Sequence, residues 1–222
     1  SFNNYIRQQI ARLKRLGKIR TSETYTAALR SFNGFMNDKE VLFDQINSDL
    51  IAEYEAYLKG RGNSPNTVSF YMRILKSVYN RAVEEGLTEQ RHPFKSVYTG
   101  VEKTLKRAIS LNHLKRIKGL DLSLKPNLDF ARDMFLFSFY TRGMSFIDMA
   151  YLRKKDLQNS ILSYRRRKTG QQLFIKWEKC MQEIVDKYPV NETEYLLPII
   201  IQRDVDYRKQ YTNELHRVNH LF

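Results

Sequence analysis

The spacing of apolar residues predicts four helices in the first ninety residues. Apolar side chains recur at intervals of three or four along residues 6–16, 25–36, 50–58 and 68–82. Thr21 or Ser22 is expected to cap the second helix. Ser64 is expected to cap the fourth, with Pro65 at the first helical position. The pattern therefore predicts a compact helical bundle.

The second half of the sequence mixes helical and strand patterns. Residues 127–140 are dense in Phe, Leu and Met, which predicts a helix buried on most sides. Residues 161–167 and 173–177 run apolar or alternate around a Thr-Gly-Gln-Gln turn, which predicts a β-hairpin. Further helices are expected at 147–152, 179–188 and 206–221, and after Ser110. This half is expected to be a mixed domain with a small sheet.

The charge of the chain favours a polyanionic partner. Its 222 residues include 38 Lys and Arg against 24 Asp and Glu, a net charge of +14, and the excess is seven on each side of residue 108. An even excess over two structured halves is typical of a protein that faces duplex DNA or RNA along both. A basic protein without such a partner is the alternative. No 18-residue apolar run or signal segment is present, and the one cysteine, Cys180, fits a reducing cytosol, so we expect no membrane partner.

Several familiar catalytic motifs are missing from the sequence. It has no Gly-rich phosphate loop, no Cys-x-x-Cys pair and no Gly-x-Ser-x-Gly elbow, so nucleotide hydrolysis and zinc-dependent folding are unsupported. His216 and His220 stand four apart on a predicted helix, but no Glu follows the first histidine. Two solvent-facing histidines are favoured over a metal pair. We expect no metal, nucleotide or other cofactor.

A basic run enters the predicted hairpin turn. Strand alternation sends Arg165 and Arg167 to one face and Arg166 and Lys168 to the other. A solvated turn is the alternative reading of such a run. A lysine held at the tip of a hairpin among other cations can enter a groove and meet a phosphate, and it can donate a proton there.

Three segments of the sequence resemble the tyrosine recombinase, or phage integrase, family. Residues 63–68 (Asn-Ser-Pro-Asn-Thr-Val) match the entry to the last long helix of that family's core-binding domain. Residues 140–152 resemble the segment that carries the family's first catalytic arginine, and Lys168 matches its hairpin lysine. The similarity is greatest to integrases of mobile elements such as transposons.

The resemblance implies a mainly α protein with two domains. A four-helix, SAM-like core-binding domain is expected over residues 1–94, followed by a linker over 95–108. The first part of an incomplete α+β catalytic domain, with a small β-hairpin or sheet, is expected over 109–222. The family's His-x-x-Arg motif and its nucleophilic tyrosine would lie beyond the last residue, so the resemblance implies a segment that binds DNA without cutting it.

The resemblance also implies an activity and its partners. The complete enzyme would perform site-specific recombination or integration by joining a tyrosine to the 3′ phosphate of the cut strand, without metal or nucleotide. Its copies would associate on duplex DNA in the bacterial cytoplasm. A non-catalytic DNA-binding regulator that keeps the fold is the alternative. An RNA-binding protein is a weaker one, because the ribonucleoprotein aromatic motif is missing.

The family pattern places its first arginine three residues before an acidic residue, and here that spacing falls on Ser145 and Asp148. Arg142 lies one turn earlier and would share a face with Ser145 if the helix includes it. We expect Arg142 to contact the scissile phosphate, with Ser145 as the alternative contact and an Arg142–Asp148 ion pair as the structural alternative. Lys168 is the expected general acid. The expected DNA-binding residues are Asn66, Thr67, Arg73, Lys76, Arg165, Arg166 and Arg167.

Overall fold

The chain divides into two units, Ser1–Lys106 and Arg107–Phe222, in a computed structural model that describes residues 1–105 and 108–221. Helices dominate both units, and the sheet in the described residues lies in the second, which confirms the mainly α fold class. Residues 106 and 107 of the expected linker lie outside the described residues. No helix in the described ranges has the length and apolar character needed to cross a membrane.

The first unit contains four α-helices in its described residues. They are α1 (Phe2–Arg15), α2 (Ile19–Phe35), α3 (Ser48–Gly60) and α4 (Pro65–Glu84), with a 3₁₀ turn at Phe43–Gln45. Ser64 caps α4 as expected, because its Oγ accepts a hydrogen bond from the Thr67 amide at 3.3 Å. The expected cap of α2 is wrong. That helix begins at Ile19, before Thr21 and Ser22, because Gly17 adopts a φ of +69° and reverses the chain at once.

The core of the first unit is built on the apolar face of α4. Met72, Leu75 and Tyr79 are fully buried there and pack with the apolar faces of α1, α2 and α3. Burying a side chain such as Leu75 contributes about 1.5–3 kcal/mol. The opposite face of α4 carries charged residues and stays accessible. This helix therefore supports the core and also presents a polar surface.

The second unit packs five α-helices and a small sheet around one core in its described residues. The helices are α5 (Leu111–Lys118), α6 (Pro126–Tyr140), α7 (Phe146–Ala150), α8 (Lys179–Asp186) and α9 (Tyr207–Leu221). Ser110 caps α5 as expected. Helix α6 supplies much of the core through Met134, Leu136 and Phe137, although Phe139 is 47% exposed. The buried helix predicted at this position is therefore present, with one side open.

The sheet is antiparallel in the order β1-β2-β3. Its strands are β1 (Leu157–Gln158), β2 (Ile161–Arg165) and β3 (Gln172–Lys176). Leu162 and Tyr164 face the core, whereas Arg165 and its cross-strand partner Gln172 lie on the open face. The first strand of the hairpin was predicted to continue to residue 167, but β2 ends at Arg165. A loop over residues 166–171 follows Arg165, closed by the Arg166 amide on the Gln171 carbonyl at 2.8 Å.

Candidate nucleic-acid interface

Arg142 lies in the turn between α6 and α7. Thr141 caps α6, and Arg142 and Gly143 then take left-handed φ values of +60° and +83°. A left-handed residue ends a helix, so the helix does not include Arg142 and the condition for a helical face shared with Ser145 is not met. Ser145 instead caps α7, with its Oγ accepting from the Asp148 amide at 3.4 Å. The turn leaves the Arg142 side chain exposed to solvent.

Asp148 connects α7 to the hairpin loop. It is 4% exposed; its Oδ2 accepts a hydrogen bond from Ser145 Oγ at 2.6 Å, and its Oδ1 accepts one from the Arg167 amide at 2.9 Å. Among the described residues, Asp148 makes no salt bridge with Arg142, so the ion pair that was the structural alternative is not formed in this arrangement. The carboxylate therefore fixes the hairpin loop against the start of α7. It also accepts the hydrogen bond that the Ser145 hydroxyl donates.

The hairpin loop, defined as Arg165 at the end of β2 together with residues 166–171, carries four successive cations. Arg165, Arg167 and Lys168 are exposed and Arg166 is half-buried. In the part of the chain that the structure describes, none of the four forms a salt bridge; Arg165 Nη1 donates to the Gly170 carbonyl at 2.9 Å. Lys168 lies in the loop and not on a strand, because β2 has already ended. The loop therefore presents positive charge that the described carboxylates do not neutralise.

A polar cleft of about 310 Å³ opens beside this loop. Its lining comprises Asp148, Tyr151, Leu152, Arg153, Asp156, Ser163, Tyr164, Arg165, Arg167 and Gln172. The Arg167 guanidinium lies over the Tyr151 ring, 4.0 Å from its centroid. Burial raises the pKa of Tyr151, and the nearby Arg167 opposes that rise. Arg165 and Arg167 thus share one side of the loop as strand alternation predicted, although Arg167 follows the strand.

A second groove, of about 540 Å³, runs along the polar face of α4. Arg73, Lys76, Asn80 and Arg81 line it together with Ser77, Glu84 and Thr99. Arg73 and Lys76 therefore share one groove, as the helical spacing indicates. Asn80 and Arg81 were not among the predicted residues, although positions 73, 77 and 81 repeat every four residues and share a helix face.

Asn66 and Thr67 lie at the start of α4 and do not line this groove. The Asn66 amide donates to the Glu102 carbonyl at 3.2 Å and accepts from the Glu102 amide at 2.9 Å. The Thr67 hydroxyl lies 3.0 Å from Ser64 Oγ. Both side chains thus make hydrogen bonds within the first unit. Those of Asn66 hold the backbone at Glu102, in the segment that follows α4.

Tyr151 and Arg153 are functional candidates that sequence reasoning missed. Neither belongs to a repeating pattern, and each reaches the cleft only because the chain turns after α7 and runs past the sheet. The described residues hold no group of three His, Cys, Asp or Glu side chains suited to a metal ion. The polar groups that line the cleft are guanidinium, phenol, amide, hydroxyl and carboxylate groups.

The first unit is similar to a known domain family. Residues 1–99, less than half of the chain, match the family model of the phage integrase SAM-like domain. No curated protein matches the chain at the level of sequence.

Solved structures of integrases share the fold of the chain. A lambda integrase (75–356) dimer bound to a COC′ core site has a TM-score of 0.67 at 15% identity, covering 97% of this chain and 81% of that one. A lambda integrase tetramer bound to a Holliday junction has a TM-score of 0.69 at 15% identity, covering 98% and 65%. The Tn1549 transposon integrase in complex with a circular intermediate DNA has a TM-score of 0.59 at 16% identity, covering 88% and 69%. With the family match, these structures confirm the resemblance to tyrosine recombinases.

Proposed function

We propose that this chain is the DNA-holding part of a tyrosine recombinase that integrates or recombines DNA at specific sites. The observation that carries the proposal is the hairpin loop, which presents four cations outside salt bridges in the described residues and is anchored by buried Asp148. Such a loop can enter a groove of the duplex and contact several phosphates at once. The integrase structures with this fold were solved with DNA, as a dimer and a tetramer in the lambda case, which supports duplex DNA as the partner and self-association on it.

Arg142 and Lys168 are the catalytic residues of the proposal. A guanidinium stabilises negative charge on the phosphoryl oxygens, and an ammonium can protonate the 5′ oxygen that leaves. Arg142 is exposed in a left-handed turn, whereas the Ser145 hydroxyl already donates a hydrogen bond to Asp148. A left-handed non-glycine residue costs about 1–3 kcal/mol, and such strain is common at functional sites. These facts favour Arg142 over Ser145 as the phosphate contact.

The DNA contacts of the proposal come from both units. Arg73 and Lys76 would neutralise phosphates along α4, with Thr67 near its start, and the hairpin loop would do so through its three arginines. Asn66 is better assigned to holding Glu102, because its amide already makes two hydrogen bonds there. We propose that the nucleophilic tyrosine belongs to a further part of the catalytic domain, so that this segment binds DNA and does not cleave it.

A non-catalytic DNA-binding regulator is the second candidate. Ser145 favours it, because a helix cap occupied by Asp148 stands where the family pattern has an arginine. Both candidates bind duplex DNA, and strand cleavage separates them. A longer chain that includes a His-x-x-Arg motif and a tyrosine, and that forms a covalent DNA adduct, supports the recombinase. A longer chain without these residues supports the regulator.

DNA titration of a loop variant tests the binding function. Arg166→Gln together with Arg167→Gln should weaken binding to duplex DNA at least tenfold, because two phosphate contacts are lost. Lys176→Gln together with Lys179→Gln is the matched control, because it removes the same charge from side chains that are 80% and 91% exposed. Fluorescence anisotropy of a labelled duplex measures both. Equal affinities for the two variants would remove the loop from the interface.

A further inference from the structure

The cleft beside the hairpin loop has the lining of an anion site. Building on the proposed recombinase function, we infer that it binds one phosphate of the DNA backbone, separate from the phosphate at which the strand is cut. Arg153, Arg165 and Arg167 are its cationic side chains. Arg142 and Lys168, to which the cutting chemistry is assigned, do not line it.

Arg167 is pre-organised to bind such an anion. Its guanidinium lies over the Tyr151 ring, 4.0 Å from the ring centroid, and Tyr151 is itself held by an edge-on contact with Tyr195 at 5.6 Å and 85°. A guanidinium held over an aromatic ring by a cation–π contact can still donate hydrogen bonds through its N–H groups. Its backbone is fixed as well, because the Arg167 amide donates to Asp148. Little conformational freedom remains to be lost when a phosphate binds.

The other two arginines keep donors free for the same ligand. Arg165 uses Nη1 on the Gly170 carbonyl, 2.9 Å away. Arg153 Nε lies 3.5 Å from Glu194 Oε2, and both side chains are about half exposed, so this ion pair is weak. Three arginines that line one cleft suit a tetrahedral oxyanion, because several of its oxygens can accept charge-assisted hydrogen bonds together.

The carboxylates of the cleft are already engaged by the protein. Asp148 accepts from the Ser145 hydroxyl and the Arg167 amide, and Asp156 Oδ2 accepts from the Arg153 amide at 2.9 Å. Three guanidinium groups outnumber these two carboxylates, so the cleft attracts anions. Its volume of about 310 Å³ is at the small end of ligand sites, and its lining is mainly polar, which suits a phosphate better than a large apolar ligand.

Duplex DNA is the source of phosphate that the position of the cleft favours. Arg165 and Arg167 belong both to the cleft and to the loop that the proposed function places on DNA. Lys168 directly follows Arg167 in the chain, so a duplex whose backbone contacts Lys168 also runs close to the cleft. A free phosphate ion offers the same chemistry, and the experiment must separate the two sources.

Titration with inorganic phosphate at constant ionic strength tests the chemistry of the site. In the wild-type chain, phosphate should shift the side-chain Nε–H signals of Arg165 and Arg167 in a saturable way, followed by nitrogen-15 NMR. Arg167→Gln should weaken phosphate binding about tenfold or more, and Lys179→Gln should leave it unchanged. Arg167→Lys keeps the charge but loses the planar guanidinium, and it should give an intermediate loss. Shifts that do not saturate, or equal binding in all variants, would overturn the site.

Duplex DNA then identifies the source. DNA should displace inorganic phosphate from the cleft, and Arg167→Gln should lower the slope of log affinity against log salt by about one, the change expected for one lost phosphate contact. Phosphate binding that DNA does not displace, with an unchanged slope, would overturn the assignment to DNA. A wild-type chain that binds phosphate but no duplex would refute the proposed function, while the phosphate titration would still decide whether the anion site exists.

Discussion

A single buried carboxylate organises the proposed site at the scale of the residue. Asp148 receives the Ser145 hydroxyl on one oxygen and the Arg167 amide on the other, so the cap of α7 and the hairpin loop share one acceptor. Each bond to a charged group of this kind contributes about 1.5–3 kcal/mol. The family spacing identified Asp148 as a landmark in the sequence, but its two partners depend on a contact across 19 residues that no local pattern contains.

The choice between Arg142 and Ser145 is tested by single substitutions. In a complete enzyme, Arg142→Ala should lower the cleavage rate by about 10²–10³, because a charged donor aimed at the phosphoryl oxygens is lost. It should leave the fold intact, since the side chain is exposed. Ser145→Ala should cost about 1 kcal/mol of stability through the lost cap and change cleavage little. Single-turnover cleavage and thermal melting measure both, and the opposite ranking would assign the phosphate to Ser145.

The stability of the second unit should fall at alkaline pH because of Tyr188. Burial raises the pKa of Tyr188, and so does its hydrogen bond to Asp133 Oδ2 at 2.8 Å. Lys187 in the same cluster also has a raised pKa: burial lowers it, but Asp129 and Asp133 outweigh that effect. Groups with pKa values raised by folding hold their protons longer in the native state, so the contribution of Tyr188 and Lys187 to stability is constant below about pH 10 and declines above it.

Tyr188→Phe isolates the tyrosine contribution. The variant should be less stable by about 1 kcal/mol at pH 8, through the lost hydrogen bond, and its stability should decline less steeply above pH 10. Urea unfolding followed by the fluorescence of Trp177, the chain's only tryptophan, reports the second unit. Tyr98→Phe, at an exposed position of the first unit, is the control. Parallel curves for Tyr188→Phe and the wild type would show that Tyr188 ionises no differently in the folded chain.

At the scale of the element, periodic segments could be predicted and turns could not. Helix α4 was predicted almost to the residue because Ser64, Pro65 and the apolar repeat agree. The break at Arg142 was missed because an arginine with a left-handed φ has no sequence signature, and only the following Gly143 hints at it. The end of β2 was missed because the basic run continues the alternation after pairing has stopped at Arg165 and Gln172.

The polar face of α4 should bind DNA as a unit. Replacing Arg73 and Lys76 together by Gln should weaken binding to every duplex sequence by a similar factor, because phosphate contacts carry no base information. The paired variant Lys14→Gln and Arg15→Gln, on exposed residues that end α1, removes the same charge elsewhere in the first unit. Anisotropy titrations with two unrelated duplexes measure both. Losses of equal size in the two variants would mean that net charge, and not the groove, sets affinity.

The hairpin loop should act on the leaving group through Lys168. In a complete enzyme, Lys168→Ala should slow cleavage by about 10²–10⁴ while binding falls little, because the neighbouring arginines still hold phosphates. A substrate with sulfur as the leaving atom needs no proton and should recover most of the lost rate. Cleavage of the oxygen and sulfur substrates is compared in single-turnover assays. Equal slowing of both would make Lys168 a phosphate anchor.

At the scale of the whole molecule, both units carry an excess of positive charge. The dependence of DNA affinity on salt concentration therefore tests both at once. Each unit presents arginine and lysine side chains at one site. Arg73, Lys76 and Arg81 line the groove along α4 in the first unit, and Arg153, Arg165 and Arg167 line the cleft beside the hairpin loop in the second. The net charge of +14 alone would attract DNA weakly and over long range, and it would be screened beyond about 10 Å at 0.1 M salt. Direct contacts behave differently, because each neutralised phosphate releases a bound counterion into solution.

The expected salt dependence follows from the number of contacts. If the α4 groove, the cleft and the hairpin loop together contact about six to ten phosphates, affinity for duplex DNA should fall by about 10³–10⁵ between 50 and 200 mM salt. Titrations at four salt concentrations give the slope, and the loop and α4 variants should each reduce it by about two, since each removes two phosphate contacts. The lysine control in the second unit should keep the wild-type slope. A slope near zero in the wild type would mean that the basic surfaces do not contact the phosphate backbone, and the proposed DNA-binding role would fail with it.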